Sequence, residues 1–89
     1  MKQKLFKDYT KSICKIVNIE SKTLFTKTKR RDVVDARFLL YYICFERPMR
    51  IRDIQEYMKL EGYETNHSGI IKGIEIMKDR INTDQDYKD

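Results

Sequence analysis

Apolar positions recur at steps of three and four along most of this chain, the period of a helix. Leu5, Phe6, Tyr9, Ile13, Ile16 and Val17 form one stripe, with Lys2, Lys4, Lys7, Lys11 and Lys15 mostly off it. The pattern predicts an amphipathic first helix that Asn18 ends. Glu20 and Ser21 open a short second helix carrying Leu24 and Phe25, with Ser21 placed to act as its N-cap. Residues 26–31 carry no apolar side chain and read as an exposed loop. Val33, Val34, Ala36, Leu40, Tyr41 and Cys44 resume the helix period, and 38–45 is apolar almost all round, which marks a buried central helix. Asp32 sits at the positive end of that helix, and Pro48 lies just past its other end.

Residues 46–50 make a tight connection. Ile51, Ile54, Tyr57 and Met58 then suit a short helix, with Asp53 favourable near its start. Residues 59–65, which contain Gly62, read as a turn or loop. Ile70, Ile71, Ile74, Met77 and Ile81 lie on one face of a last helix that starts near Asn66, with Thr65 or Asn66 as cap. Beyond it, 82–89 is a polar tail. The expectation is one all-α domain over 1–81, built of five to six helices. Two helices in succession, the second amphipathic and polar at its N-terminal end, match a helix-turn-helix.

Composition narrows the class. Gly and Pro together number four among 89 residues, too few for a turn-rich β protein, and the aliphatic and aromatic content is too high for disorder. One small core is what this length allows. The net charge of +5 matters less than where it lies: 1–31 holds ten Lys/Arg against two Asp/Glu, and 32–80 holds eight against nine. A chain cationic at one end suits nucleic acid, an anionic membrane or an acidic protein. A basic amphipathic helix can lie on a membrane, but a small helical domain needs that same apolar stripe for its core. The longest apolar run has eight residues, far short of the ~20 that span a bilayer, and no signal peptide opens the chain. A cytoplasmic location follows as the expectation.

Candidate chemistry is sparse. Cys14 and Cys44 each lie inside an apolar helical pattern and read as buried free thiols; two Cys and one His do not make a structural zinc cluster. His67 has no nucleophile–orienter constellation around it, and no Gly-rich phosphate loop ending in Lys-Ser or Lys-Thr occurs. The reading is therefore not an enzyme, with no metal or cofactor.

Two stretches carry a resemblance. Ile13-Cys14-Lys15-Ile16-Val17-Asn18-Ile19, then Leu24-Phe25-Thr26-Lys27-Thr28-Lys29-Arg30-Arg31 and Asp32-Val33-Val34-Asp35-Ala36-Arg37, run without a gap along one family pattern. Asn66-His67-Ser68-Gly69-Ile70-Ile71-Lys72-Gly73-Ile74 is similar to the same family's recognition-helix signature, Asp-His-Ser/Thr-Thr-Val-Leu followed by a small residue and Ile. In both halves the chain resembles the C-terminal DNA-binding domain of the bacterial replication initiator DnaA, over most of residues 10–81. The resemblance implies a Trp-repressor-like helical fold, a basic loop in the minor groove of an A/T-rich box, and a recognition helix in the major groove. It puts Lys29 at the minor-groove Arg position, with Arg30 and Arg31 beside it, and matches Arg37 to a contact with the DNA backbone. His67 and Ser68 match recognition-helix contacts, and Asn66 replaces the family's Asp.

Departures from the pattern have physical content. Gly69 stands where the family has Thr, so a methyl and a hydroxyl for base contact are missing. Lys29 is more strongly hydrated than Arg and costs more to strip in a narrow groove. Phe38 replaces a polar residue, the turn between Met58 and His67 is longer, and the connection around Pro48 is slightly shorter. The family's ATPase is not among these residues.

Without the resemblance, Lys27, Lys29, Arg30 and Arg31 can neutralise phosphates and release counterions, or stand as a solvated charge run. Asn66 and Ser68 can cap the helix, bind phosphate or reach a base edge. Lys72, off the apolar face, can reach phosphate or guanine, or sit idle on the surface. Tyr41, Tyr42 and Phe45 read as packing residues rather than stacking platforms for single strands. The expected function is sequence-preferring binding of double-stranded DNA, in replication initiation control or as a regulator. The alternative is a protein-interaction module of the same fold, docking an initiator or an acidic partner.

Overall fold

A computed structural model describes residues 2–83 of the chain. Five α-helices make it up: α1 (Lys2–Val17), α2 (Ser21–Leu24), α3 (Arg31–Glu46), α4 (Ile51–Leu60) and α5 (His67–Thr83), with no strand among the described residues. The last helix thus runs slightly past the expected end of the domain, and the rest of the expected polar tail, 84–89, lies outside the described residues. The helices fill 34 × 26 × 23 Å.

The expected central helix is central. α3 packs against each of the other four helices, and Val33, Ala36, Leu40, Tyr41 and Cys44 are buried along it. Phe6 and Ile13 from α1, Leu24 from α2, Ile54 and Met58 from α4 and Ile70 from α5 close on it to form one core. Both cysteines are free thiols in that core.

Three expected core or packing positions face outward: Ile16, Ile71 and Phe45, the last 39% exposed in the final turn of α3. Ile16 is 79% exposed, because the buried stripe of α1 runs through Phe6, Thr10, Ile13 and Cys14 and leaves Ile16 on its flank. The Thr10 hydroxyl is satisfied inside this stripe by donating to the Phe6 carbonyl at 2.9 Å. Ile71 is 43% exposed, since Ile70, Gly73, Ile74 and Met77 make the buried face of α5 and Ile71 falls one step round the helix.

Gly73 and Phe38 explain each other. A Cβ at Gly73 would sit 2.7 Å from Phe38 Cδ1 and 2.9 Å from Tyr41 Cδ2, so the aromatic pair of α3 occupies the space that a side chain on α5 would need. The helix ends follow local chemistry. Asn18 takes a left-handed φ of 62°, and the Ile19 N–H reaches back to the Cys14 carbonyl at 3.0 Å, a Schellman close. Gly62, at φ 91°, ends α4 in the same way, with the Tyr63 N–H donating to the Met58 carbonyl at 3.0 Å. Ser21 is not the N-cap of α2. Glu20 holds that position without a side-chain cap bond, and the Ser21 hydroxyl turns to the Cys14 thiol.

Candidate nucleic-acid interface

The start of α5 is built by its cap. Asn66, rather than Thr65, supplies it: Asn66 Oδ1 accepts the Gly69 N–H at 2.7 Å. That side-chain oxygen is therefore engaged, and only the amide NH₂ of Asn66 is left to reach outward. A Cβ at Gly69 would lie 3.0 Å from Thr65 Oγ1 and 3.2 Å from Asn66 Oδ1. The glycine thus fits the crowding of the cap and the longer turn before it. His67 and Ser68 are exposed in the first turn, and Lys72 is exposed one turn further on. Half-exposed Ile71 lies on the flank of the same turn and can meet an apolar base edge such as a thymine methyl.

The four cations of the loop are not equivalent. The Arg30 guanidinium grips the Asp32 carboxylate at 2.8 and 3.3 Å, and this partner holds the carboxyl below its usual range. Arg31 stands 3.9 Å from Asp35, which Arg80 holds more closely at 3.0 Å. Among the described residues, Lys27 and Lys29 are exposed and have no carboxylate partner. They are the cations most available to a phosphate.

Arg37 does not fit the surface role the resemblance implies. It is 4% exposed, and its guanidinium donates to the Leu24 carbonyl at 2.9 Å, the Thr26 carbonyl at 3.0 Å and the Tyr63 hydroxyl at 3.0 Å. The cation also lies 4.6 Å from the centre of the Tyr63 ring. With three bonds inside the protein it closes the C-terminal end of α2 instead of facing solvent.

These parts lie along one edge of the molecule. Lys27, Thr28 and Lys29 border a depression with Tyr63 and Glu64. Glu64, Thr65 and Asn66 line the next, and His67 shares a third with Arg52, Gln55, Glu56 and Lys59 of α4. The turn itself is tied to α4 by the Gln55 amide, which donates to the Thr65 carbonyl at 3.0 Å. The loop cations and the tip of α5 are thus neighbours. Acidic groups interrupt the edge at Glu64 and Glu56.

Arg52 and Lys59 escaped the sequence reading, although they share the polar face of α4 at a spacing of two turns. Tyr63 escaped it too, and no local pattern marks a residue whose partner is 26 positions away. Among the described residues no group of His, Cys, Asp and Glu could hold a metal ion. Among the described residues no helix is long and apolar enough to cross a membrane, and α1 commits most of its apolar face to the core. Comparison with protein-family models, with curated proteins and with solved structures finds no match to this chain.

Proposed function

We propose that this domain binds double-stranded DNA with sequence preference, the start of α5 reading the major groove and the loop at Lys27 and Lys29 entering the adjacent minor groove. Its place would be replication initiation control or transcriptional regulation, on an A/T-rich box. The observation that carries this reading is the continuous edge from Lys27 and Lys29 through the turn at 63–66 to His67, with Arg52 and Lys59 beside it. A helix-turn-helix needs its recognition helix to project by its N-terminal turn, flanked by cations that hold the phosphates on either side. Phosphate affinity comes from the lysines and base preference from His67, Ser68 and Ile71. No step of this activity requires a metal, a cofactor or an ATPase.

A second reading, docking of an acidic protein or of an initiator, is favoured by Glu56 and Glu64 within the edge and by the side chain that Gly69 lacks. Selection from a random duplex library separates the two. Enrichment of a motif supports DNA recognition, and no retained duplex at low salt supports protein docking. On a selected duplex, His67→Ala should flatten the preference over scrambled sequence more than it weakens binding. Equal losses on both duplexes would remove His67 from base reading.

A further inference from the structure

Arg37 and the half-buried Tyr63 join the loop to the turn before α5. Arg37 leaves α3 nearly two turns past its start and holds two carbonyls of the α2 end and loop, those of Leu24 and Thr26. On its other side it meets the hydroxyl and the ring face of Tyr63. Tyr63 is itself placed by the glycine turn that ends α4, where its N–H is bonded to Met58. Lys27 and Lys29 follow directly on the carbonyl that Arg37 holds. Glu64, Thr65 and Asn66 follow directly on Tyr63.

We propose that Tyr63, acting through Arg37, is a positioning residue that sets the distance between the lysine loop and the tip of α5, so that one duplex is gripped at both places as a unit. The DNA half of this proposal rests on the function proposed above; the loop-holding half does not. A charge-assisted hydrogen bond and a ring over a guanidinium act together here. Arg37 carries no other group that reaches the turn. Losing Tyr63 would loosen Arg37 and with it the hold on the Leu24 and Thr26 carbonyls, while α3 itself stays packed on α5.

The test compares wild type with Tyr63→Phe, which keeps the ring and loses the hydroxyl, and Tyr63→Leu, which loses both. Arg37 is left intact, because removing a buried guanidinium strips two backbone carbonyls of their partner and threatens the fold. Amide hydrogen exchange in the free protein is read at Phe25, Thr26 and Arg30, with amides of α3 as the folding control. Tyr63→Leu should speed loop exchange about tenfold and Tyr63→Phe by less, the α3 amides being unchanged. On DNA, Tyr63→Leu should lower the preference for a selected over a scrambled duplex about tenfold, with the salt dependence unaltered, because every lysine is still present. Unchanged loop exchange in Tyr63→Leu overturns the proposal. So does a loosened loop with undiminished preference. If wild type retains no duplex, the DNA reading fails with its half of the proposal, and loop exchange still decides whether Tyr63 holds the loop.

Discussion

An alanine at Gly73 would push its methyl carbon to 2.7 Å from the Phe38 ring and 2.9 Å from the Tyr41 ring. In an open helix the same change stabilises by up to about 1 kcal/mol, because alanine loses less backbone freedom than glycine. Here two packed rings must move, and overpacking of that kind costs about 1–3 kcal/mol. Gly73→Ala should therefore lower stability, as a shifted urea midpoint at unchanged slope would show. Two other buried groups set the alkaline limit. Burial pushes the Cys44 thiol from its ordinary 9.0 up to about 12, and burial also lifts the Tyr41 phenol from 10.0 to about 12. Both are neutral in the fold at pH 7, and the unfolded chain ionises first as pH rises. Stability should stay level below about pH 9 and fall between about 9 and 12. In Cys44→Ala the fall between about 9 and 10 should be shallower, since the Tyr41 phenol and the Cys14 thiol, which burial also pushes up, still contribute. The shapes of the two curves are compared rather than their heights, since the truncation leaves a void at every pH. A curve that falls as steeply between about 9 and 10 in both proteins would remove Cys44 as the cause.

At the scale of the element, α4 and the turn behind it decide how α5 is presented. Gly62 closes α4 at φ 91° with nothing within 4 Å of a would-be Cβ, so a side chain there meets backbone strain and no clash. Gly62→Ala should cost about 1 kcal/mol, and thermal unfolding by circular dichroism would record the loss. The helix period, a cap at Thr65 or Asn66 and the central place of α3 were all legible from residues within one or two turns of each other, and the structure chose Asn66. Ile16 and Ile71 were misplaced for a related reason. A stripe read from sequence is about as wide as the apolar residues allow, whereas the neighbouring helices choose which part of it they cover. The length of the turn was visible, but its consequence was not: Tyr63 has meaning only once Arg37 of α3 lies over it.

For the whole molecule, the proposed grip on DNA depends on cations brought to one edge from three separate elements. Arg37 is spent inside the fold and Arg30 is held by Asp32. The phosphate contacts then fall to Lys27, Lys29, Arg31, Lys72 and one of Arg52 and Lys59. If all of these engage, log affinity should fall with log salt at a slope of about −4.5, which titrations at several salt concentrations would measure. A slope near zero would count against the lysine edge. Lys27→Ala or Lys29→Ala should make the slope shallower by about 1 each, while Arg30→Ala should change it less because Asp32 already neutralises that charge.

What the residues determined by themselves is the inventory: an all-α chain, a cationic loop ahead of a central helix, and a last helix with a polar, capped start. These follow from periodicity, capping and charge, whose physical range is a few residues. Tertiary structure alone decided which cations stay available and which one turns inward to hold the loop. That choice rests on contacts between residues far apart in the chain, such as Arg37 and Tyr63, where the proximity that makes the interaction strong exists only after the helices have packed.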